Sequence, residues 1–208
     1  MKQIKSATPR ASTRSSRPIQ PTSPQTHEVR IIGGQWKRTR LAVADQPGLR
    51  PTPDRVRETL FNWLGQNLSG WRCIDAFAGT GALGFEAASR GAKEVRLVEQ
   101  DTALVVQLKR IQTQLQASAT QIVRGDAIAA LKQLDPASMD AVFLDPPFGS
   151  VLFDAALQAA GRAVAADGFV YLEAPILWAN EQLESAGLKV HRHLRAGAVH
   201  AHLLKRLG

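Results

Sequence analysis

The 208 residues include one cysteine, Cys73, so no disulfide can form within the chain. It falls inside a predicted buried strand, where a thiol is an inert core group rather than a nucleophile. No apolar run reaches 18 residues, so no membrane-spanning helix and no membrane partner are expected. The amino terminus lacks the apolar stretch of a secretory signal, and a cytoplasmic protein is the expectation. Acidic residues are scarce in one place only. Residues 1–58 hold 12 Lys+Arg against 4 Asp+Glu, while residues 59–208 hold 14 of each. The whole formal surplus of +8 therefore sits in the first quarter of the chain. A neutral body with a basic front points to a polyanionic partner met by the N-terminal part; the plainer alternative is a solubilising tail.

Residues 1–28 are rich in Ser, Thr, Pro, Gln and Arg. They cannot bury enough surface to offset their ordering entropy, so a disordered basic tail is expected. Its Lys2, Lys5, Arg10, Arg14 and Arg17 would make loose, salt-sensitive phosphate contacts. Order is expected from Val29-Arg30-Ile31-Ile32-Gly33-Gly34, a strand with a Gly-Gly turn, returning through Trp36–Val43 as a hairpin. Lys37, Arg38 and Arg40 beside Trp36 join positive charge to an aromatic face, as nucleic-acid surfaces do; Trp36 could equally anchor the hairpin. Within Leu49–Glu58, Thr52 reads as a helix N-cap and Pro53 as the first helical residue. Val56, Leu60, Trp63, Leu64 and Leu68 then share one helical face. Arg50, Arg55 and Arg57 flank a helix start that is already positive, a mild cost that a bound anion would relieve.

Beyond residue 69, strands and helices alternate. Strands are predicted at 71–76, 94–99, 121–124, 141–144 and 168–173, then at 188–194 and 199–205. Helices fall between them, from the first strand to Gly91, at 102–117, 127–134, 153–166 and near 180–186. Such alternation implies an α/β fold, a mostly parallel seven-stranded sheet with helices on both faces and an antiparallel close. Ligands on such sheets sit beyond the carboxyl ends of the strands.

The first of these strands runs into Asp75-Ala76-Phe77-Ala78-Gly79-Thr80-Gly81-Ala82-Leu83-Gly84. Gly79, Gly81 and Gly84 satisfy G-x-G-x-x-G, and Glu99 stands 20 residues beyond Gly79, so a nicotinamide enzyme must be weighed. The physical content is narrower. Glycines let a backbone turn approach a ligand, and an acid ending the next strand accepts bonds from ribose hydroxyls. Asp75, however, would repel a pyrophosphate and suits a cationic ammonium. Asp126, in Arg124-Gly125-Asp126-Ala127, could accept from an adenine amino group or simply cap its helix. With Asp145, these acids ring the crevice and suit S-adenosylmethionine, with its ammonium and sulfonium, better than NAD.

Asp145-Pro146-Pro147-Phe148 closes the apolar run Ala141–Leu144. Proline cannot continue the ladder, so the strand stops there. What remains is a rigid shelf with a carboxylate, free carbonyls and a flat ring. Those groups suit a planar amine, with N–H bonds accepted by oxygen and the base stacked on Phe148. His191, His193, His200 and His202 lie on the last two strands, but no acid or cysteine joins them, and no functional metal is expected.

Taken together, Asp75-x-Phe77-x-Gly79-Thr80-Gly81, Glu99, Asp126 and Asp145-Pro146-Pro147-Phe148 resemble the class I methyltransferases that act on exocyclic amines. Arg30-Ile31-Ile32-Gly33-Gly34 and the stretch from Arg50-Pro51-Thr52-Pro53 to Leu64 are similar to the bacterial 16S ribosomal RNA guanine-N2 methyltransferases of the guanine-966 type. The similarity spans roughly residues 29–205; family members often have a second Thr where this chain has Pro53, and the long tail is atypical. The resemblance implies a Rossmann-like catalytic domain at 69–208 behind an RNA-binding hairpin and helix at 29–68. It implies S-adenosylmethionine held by Asp75, Phe77, Ala78, Gly79, Thr80, Gly81, Glu99, Gln100, Asp126 and Ala127, and catalysis on the Asp145–Phe148 shelf. RNA contacts are expected from Arg30, Lys37, Arg38, Arg50, Thr52, Arg55 and Arg57. The substrate would be 16S RNA in a small ribosomal subunit, met by a monomer. Competing readings are a DNA adenine-N6 or cytosine-N4 methyltransferase, disfavoured by the lack of a separate target-recognition domain, a nicotinamide oxidoreductase, and a non-catalytic RNA-binding protein.

Overall fold

A computed structural model of the chain describes residues 27–43, 52–149 and 151–207. Most of the expected tail, and Arg50, lie outside them. Strands β1 (His27–Arg30) and β2 (Arg40–Val43) pair antiparallel, with Val29 opposite Leu41. Val29, Leu41 and Val43 are buried while Arg30 and Arg40 face solvent, so the period-two pattern sets the inner face. β1 starts inside the segment expected to be tail, and β2 is shorter than the return strand expected from Trp36. Helix α1 (Asp54–Trp63) buries Val56, Leu60 and Phe61. Its N-cap is Pro53 and makes no side-chain bond, which corrects the expectation for Thr52. Thr52 is buried and bonds instead to Glu173, so tertiary packing overrides the local capping preference.

The main sheet holds β3 (Arg72–Asp75), β4 (Glu94–Glu99), β5 (Thr120–Arg124), β6 (Met139–Leu144), β7 (Val164–Ala174), β8 (Leu188–Ala196) and β9 (Val199–Arg206). Their order is β5-β4-β3-β6-β7-β9-β8. β9 runs antiparallel to both neighbours; the other adjacent pairs are parallel. Helices α2 (Ala82–Ser89) and α3 (Thr102–Leu115) share a core with α1 and the hairpin. Helices α4 (Ala127–Lys132), α5 (Phe153–Ala163) and α6 (Asn180–Leu183) pack on the opposite face. The expected helix to Ala166 stops at Ala163, because Val164 already pairs with Met139 and the register then shifts before Phe169 pairs with Ala141. Successive strands move outward in one direction from β3 to β5 and in the other from β6. Their carboxyl ends diverge between β3 and β6, which opens a crevice at the switch point.

The hairpin is tied to this body through Glu86 on α2. Its two carboxylate oxygens accept the N–H groups of Ile32 and Gly33, each at 2.8 Å. The same carboxylate meets Arg90 at 2.8 Å and Arg57 at 3.5 Å. Glu86 and Arg57 are both 0% exposed, and a network closes around them, with Arg90 on Glu86 and Asp54 on Arg57 at 2.6 Å. Gly33-Gly34 is more than a turn. A Cβ on Gly34, whose φ is +74°, would lie 1.8 Å from the Ser89 carbonyl, and one on Gly33 would strike the Arg90 guanidinium.

Removing one member of a buried ion network leaves an uncompensated charge, typically at a cost of about 3–5 kcal/mol. Glu86→Ala is therefore expected to lower the urea midpoint by that equivalent with little change in slope. A loss under about 1 kcal/mol in that titration would mean that Arg57 and Arg90 find other partners.

Candidate active site

Side chains alternate along a strand, and that alternation assembles the site. Cys73, Leu97, Phe143 and Tyr171 all point into the core shared with α2. Two residues further along each strand stand Asp75, Glu99, Asp145 and Glu173. The four acids thus lie at the carboxyl ends of β3, β4, β6 and β7 on one face of the sheet. In register, β6 Leu144 pairs with β7 Leu172, so Asp145 and Glu173 follow side by side.

The loop after β3 is held by its backbone. Ala76 N–H donates to Phe143 at 3.1 Å and Ala78 N–H to Val98 at 2.9 Å, hooking the loop between the neighbouring strands. Gly79 and Gly81 have φ of 50° and 78°, a region that disfavours side chains. Glu99 accepts from Gly79 N–H at 2.9 Å and from Asp101 N–H at 2.8 Å, which uses part of its acceptor capacity. Asp75 accepts from Gly84 N–H at 2.9 Å. A Cβ on Gly84 would lie 2.7 Å from Leu97, so this third glycine lets α2 pack against β4. Thr80 and Ala78 are buried, Phe77 packs partly buried against the opposite core, and Gln100 is exposed. Asp126 is exposed and caps α4 by accepting from Ala129 N–H at 2.8 Å, the plainer of its two readings, with Ala127 buried behind it.

Burial pushes the Asp75 carboxyl up to about 7, and the nearby charges of Glu99 and Glu173 add to this against the Gly84 bond. Burial also raises Asp145, as do Glu173 and Asp75. Pro146 is buried, Pro147 exposed, and Phe148 is 47% exposed at the mouth of the crevice. Glu173 belongs to none of the sequence motifs. The signal it does carry is that it ends its strand as the other acids end theirs.

The model of the conserved hypothetical protein 95 family matches residues 29–205. The chain belongs to this family. It is 39% identical over 185 residues to ribosomal RNA small subunit methyltransferase D of Escherichia coli K12, covering 86% of this chain and 90% of that one. The protein of the same name from Haemophilus influenzae is 46% identical over 134 residues, 63% of this chain and 69% of the relative. A solved structure of Escherichia coli yhhF superposes with TM-score 0.73 at 36% identity, over 86% of this chain and 98% of that one. The fold is the Rossmann-like class I methyltransferase fold.

The carboxyl groups of Asp75, buried, and of Glu99 and Asp145, partly buried, line the crevice, a donor set that fits the cationic ammonium and sulfonium of S-adenosylmethionine. The basic residues divide. Lys37, Arg38 and Arg55 are exposed, and Arg30 is exposed while pairing with Asp54 at 2.9 Å. Arg57 is not available to a nucleic acid. It is buried among Asp54, Glu86 and the Thr52 carbonyl, so the anion that relieves its position is internal. Trp36 packs partly buried against the core and anchors the hairpin. Burial pushes the Cys73 thiol up, away from reactivity. His193, His200 and His202 bring ring nitrogens within 4.8 Å of one another. The Nε2 of His202, however, accepts the Trp178 N–H at 3.1 Å, so its lone pair is engaged and two ligands remain. Among the described residues, no helix is long and apolar enough to cross a membrane.

Because folded Asp75 keeps its proton up to about pH 7 and the unfolded chain loses it near 3.8, stability falls as pH rises between those values. The difference corresponds to at most about 4 kcal/mol. Asp75→Asn is expected to melt higher than wild type at pH 8 without cofactor, with the gain fading towards pH 4, and to bind S-adenosylmethionine more weakly. Equal melting at pH 8 would mean that the charge is already compensated.

Proposed function

We propose that this protein methylates the exocyclic N2 amine of a guanine in 16S ribosomal RNA, using S-adenosylmethionine. The observation that carries the reading is the Asp145-Pro146-Pro147-Phe148 shelf, half-buried acid first and exposed ring last, beside an acidic glycine loop at the switch point. The coarser statement, methylation of ribosomal RNA, is supported by the names of the Escherichia coli and Haemophilus influenzae relatives. Guanine N2, the guanine-966 position and the small-subunit context rest on the motif resemblance.

S-adenosylmethionine supplies an electrophilic methyl group on a sulfonium. Asp75 and Glu99 would hold its ammonium and ribose hydroxyls, and the glycines at 79 and 81 would let the backbone approach it. The chain's own task is the amine, whose lone pair is delocalised into the guanine ring. Asp145 and the Pro146 carbonyl accept its two N–H bonds, which favours a tetrahedral nitrogen with its lone pair turned to the methyl donor. Phe148 stacks on the extruded base and fixes its plane. Outside the pocket, Arg30, Lys37, Arg38 and Arg55 meet the RNA phosphates, with Arg50 contributing from outside the described residues.

The deciding test is transfer of labelled methyl to hypomethylated small subunits, free 16S RNA and duplex DNA, followed by nucleoside analysis. N2-methylguanosine in the RNA substrates is the expected product; label in DNA would replace the reading with a DNA methyltransferase. Asp145→Ala is expected to abolish transfer while leaving cofactor affinity within a few-fold. Lys37→Ala combined with Arg38→Ala should weaken RNA binding and reduce the slope of log K against log salt by about 2. An unchanged slope would move the interface elsewhere.

A further inference from the structure

β7 ends in a carboxylate that the proposed chemistry leaves unused. Glu173 is buried. Tyr171 donates its hydroxyl to Glu173 Oε1 at 2.9 Å, and the Thr52 hydroxyl bonds to the same carboxylate. Thr52 is itself held, because its carbonyl accepts from Arg57 Nε at 3.2 Å. Arg57 in turn meets Glu86, whose oxygens hold the hairpin backbone. A buried carboxylate with two hydroxyl donors and a nearby guanidinium is fixed in place. The parallel register sets it beside Asp145, on the same face of the sheet.

We propose that Glu173 is a positioning residue of the methyl-transfer site, acting through Asp145. This inference rests on the reading of Asp145 as the acceptor of the target amine. Two carboxylates side by side with little water between them do not readily ionise together. Burial raises both carboxyls; at Glu173 the hydroxyl donors and the Arg57 charge work against it, whereas at Asp145 the charges of Glu173 and Asp75 add to it. Of the two, Asp145 is the one that more readily holds a proton. Asp145 is a stronger acceptor of the amine N–H as the carboxylate than as the protonated carboxyl, so release of that proton strengthens its hold on the amine. Glu173 thereby sets the pH at which Asp145 becomes a full acceptor. The other charged and titratable groups facing this pair are Asp75 from β3, Tyr171 from β7 and Arg57 from α1, with Glu99 of β4 reaching Asp75.

The test is the single-turnover rate of methyl transfer to RNA against pH, at saturating S-adenosylmethionine so that cofactor binding at Asp75 does not enter. For wild type, the rate is expected to climb along an acid limb whose midpoint lies well above the ordinary carboxylate range of about 4. Glu173→Gln keeps the shape and an acceptor for Tyr171 and Thr52 but removes the charge, and should move that midpoint down by about one pH unit or more. A melting curve and cofactor titration establish that the variant is folded. An unmoved midpoint in folded Glu173→Gln, or a wild-type limb near pH 4, would overturn the inference. Where the variant fails to fold, a wild-type limb near pH 4 still overturns the inference. Asp145→Asn separates the two levels: if it transfers methyl normally, the role of Asp145 falls. If it is inactive while Glu173→Gln keeps the wild-type midpoint, only the role of Glu173 falls.

Discussion

The buried carboxylate of Glu86 is the constraint on which the arrangement of the N-terminal part depends. One side chain satisfies two backbone donors of the hairpin, Ile32 and Gly33, and neutralises two arginines from different elements. Hairpin, α1 and α2 thereby become one unit. A buried ion cluster of this kind adds little to stability compared with an apolar replacement, but breaking it is costly. Its value here is geometric. It fixes the face that carries Lys37, Arg38 and Arg55 relative to the sheet, and through Arg57 and Thr52 it reaches the acid at the end of β7.

A second constraint acts against the first. Acids crowd neighbouring strand ends, and the three where water is scarce, Asp75, Asp145 and Glu173, have raised carboxyls. Stability alone would not select such a cluster. A site that binds a cation would make use of it, because the ligand supplies the compensation that the free protein lacks. Strain of this kind at strand ends beside a crevice marks a functional site.

Several elements are legible in the residue pattern alone. The strand–helix alternation is a local periodic signal, and the seven strands lie close to where the pattern puts them. The glycine loop and the Asp-Pro-Pro-Phe shelf are readable because prolines and glycines act on the backbone within a few residues. Less legible is the junction of α5 and β7, where pairing of Val164 with Met139 overrides a helical pattern. Thr52 reads as a cap because capping is a local preference, and only the proximity of Glu173 shows why it turns inward.

The sequence by itself determined the α/β alternation, the loop that closes β3, the abrupt end of β6 and the basic front of the chain. Each of these follows from residues within one element or its immediate neighbours. Tertiary structure alone decided which charges are free to meet a partner. Arg55 and Arg57 stand two residues apart on one helix, yet Arg55 is exposed while Arg57 is buried against Glu86, 29 residues away in sequence. Which face of α1 meets α2 depends on how the hairpin and sheet pack, and no local pattern of charge carries that information.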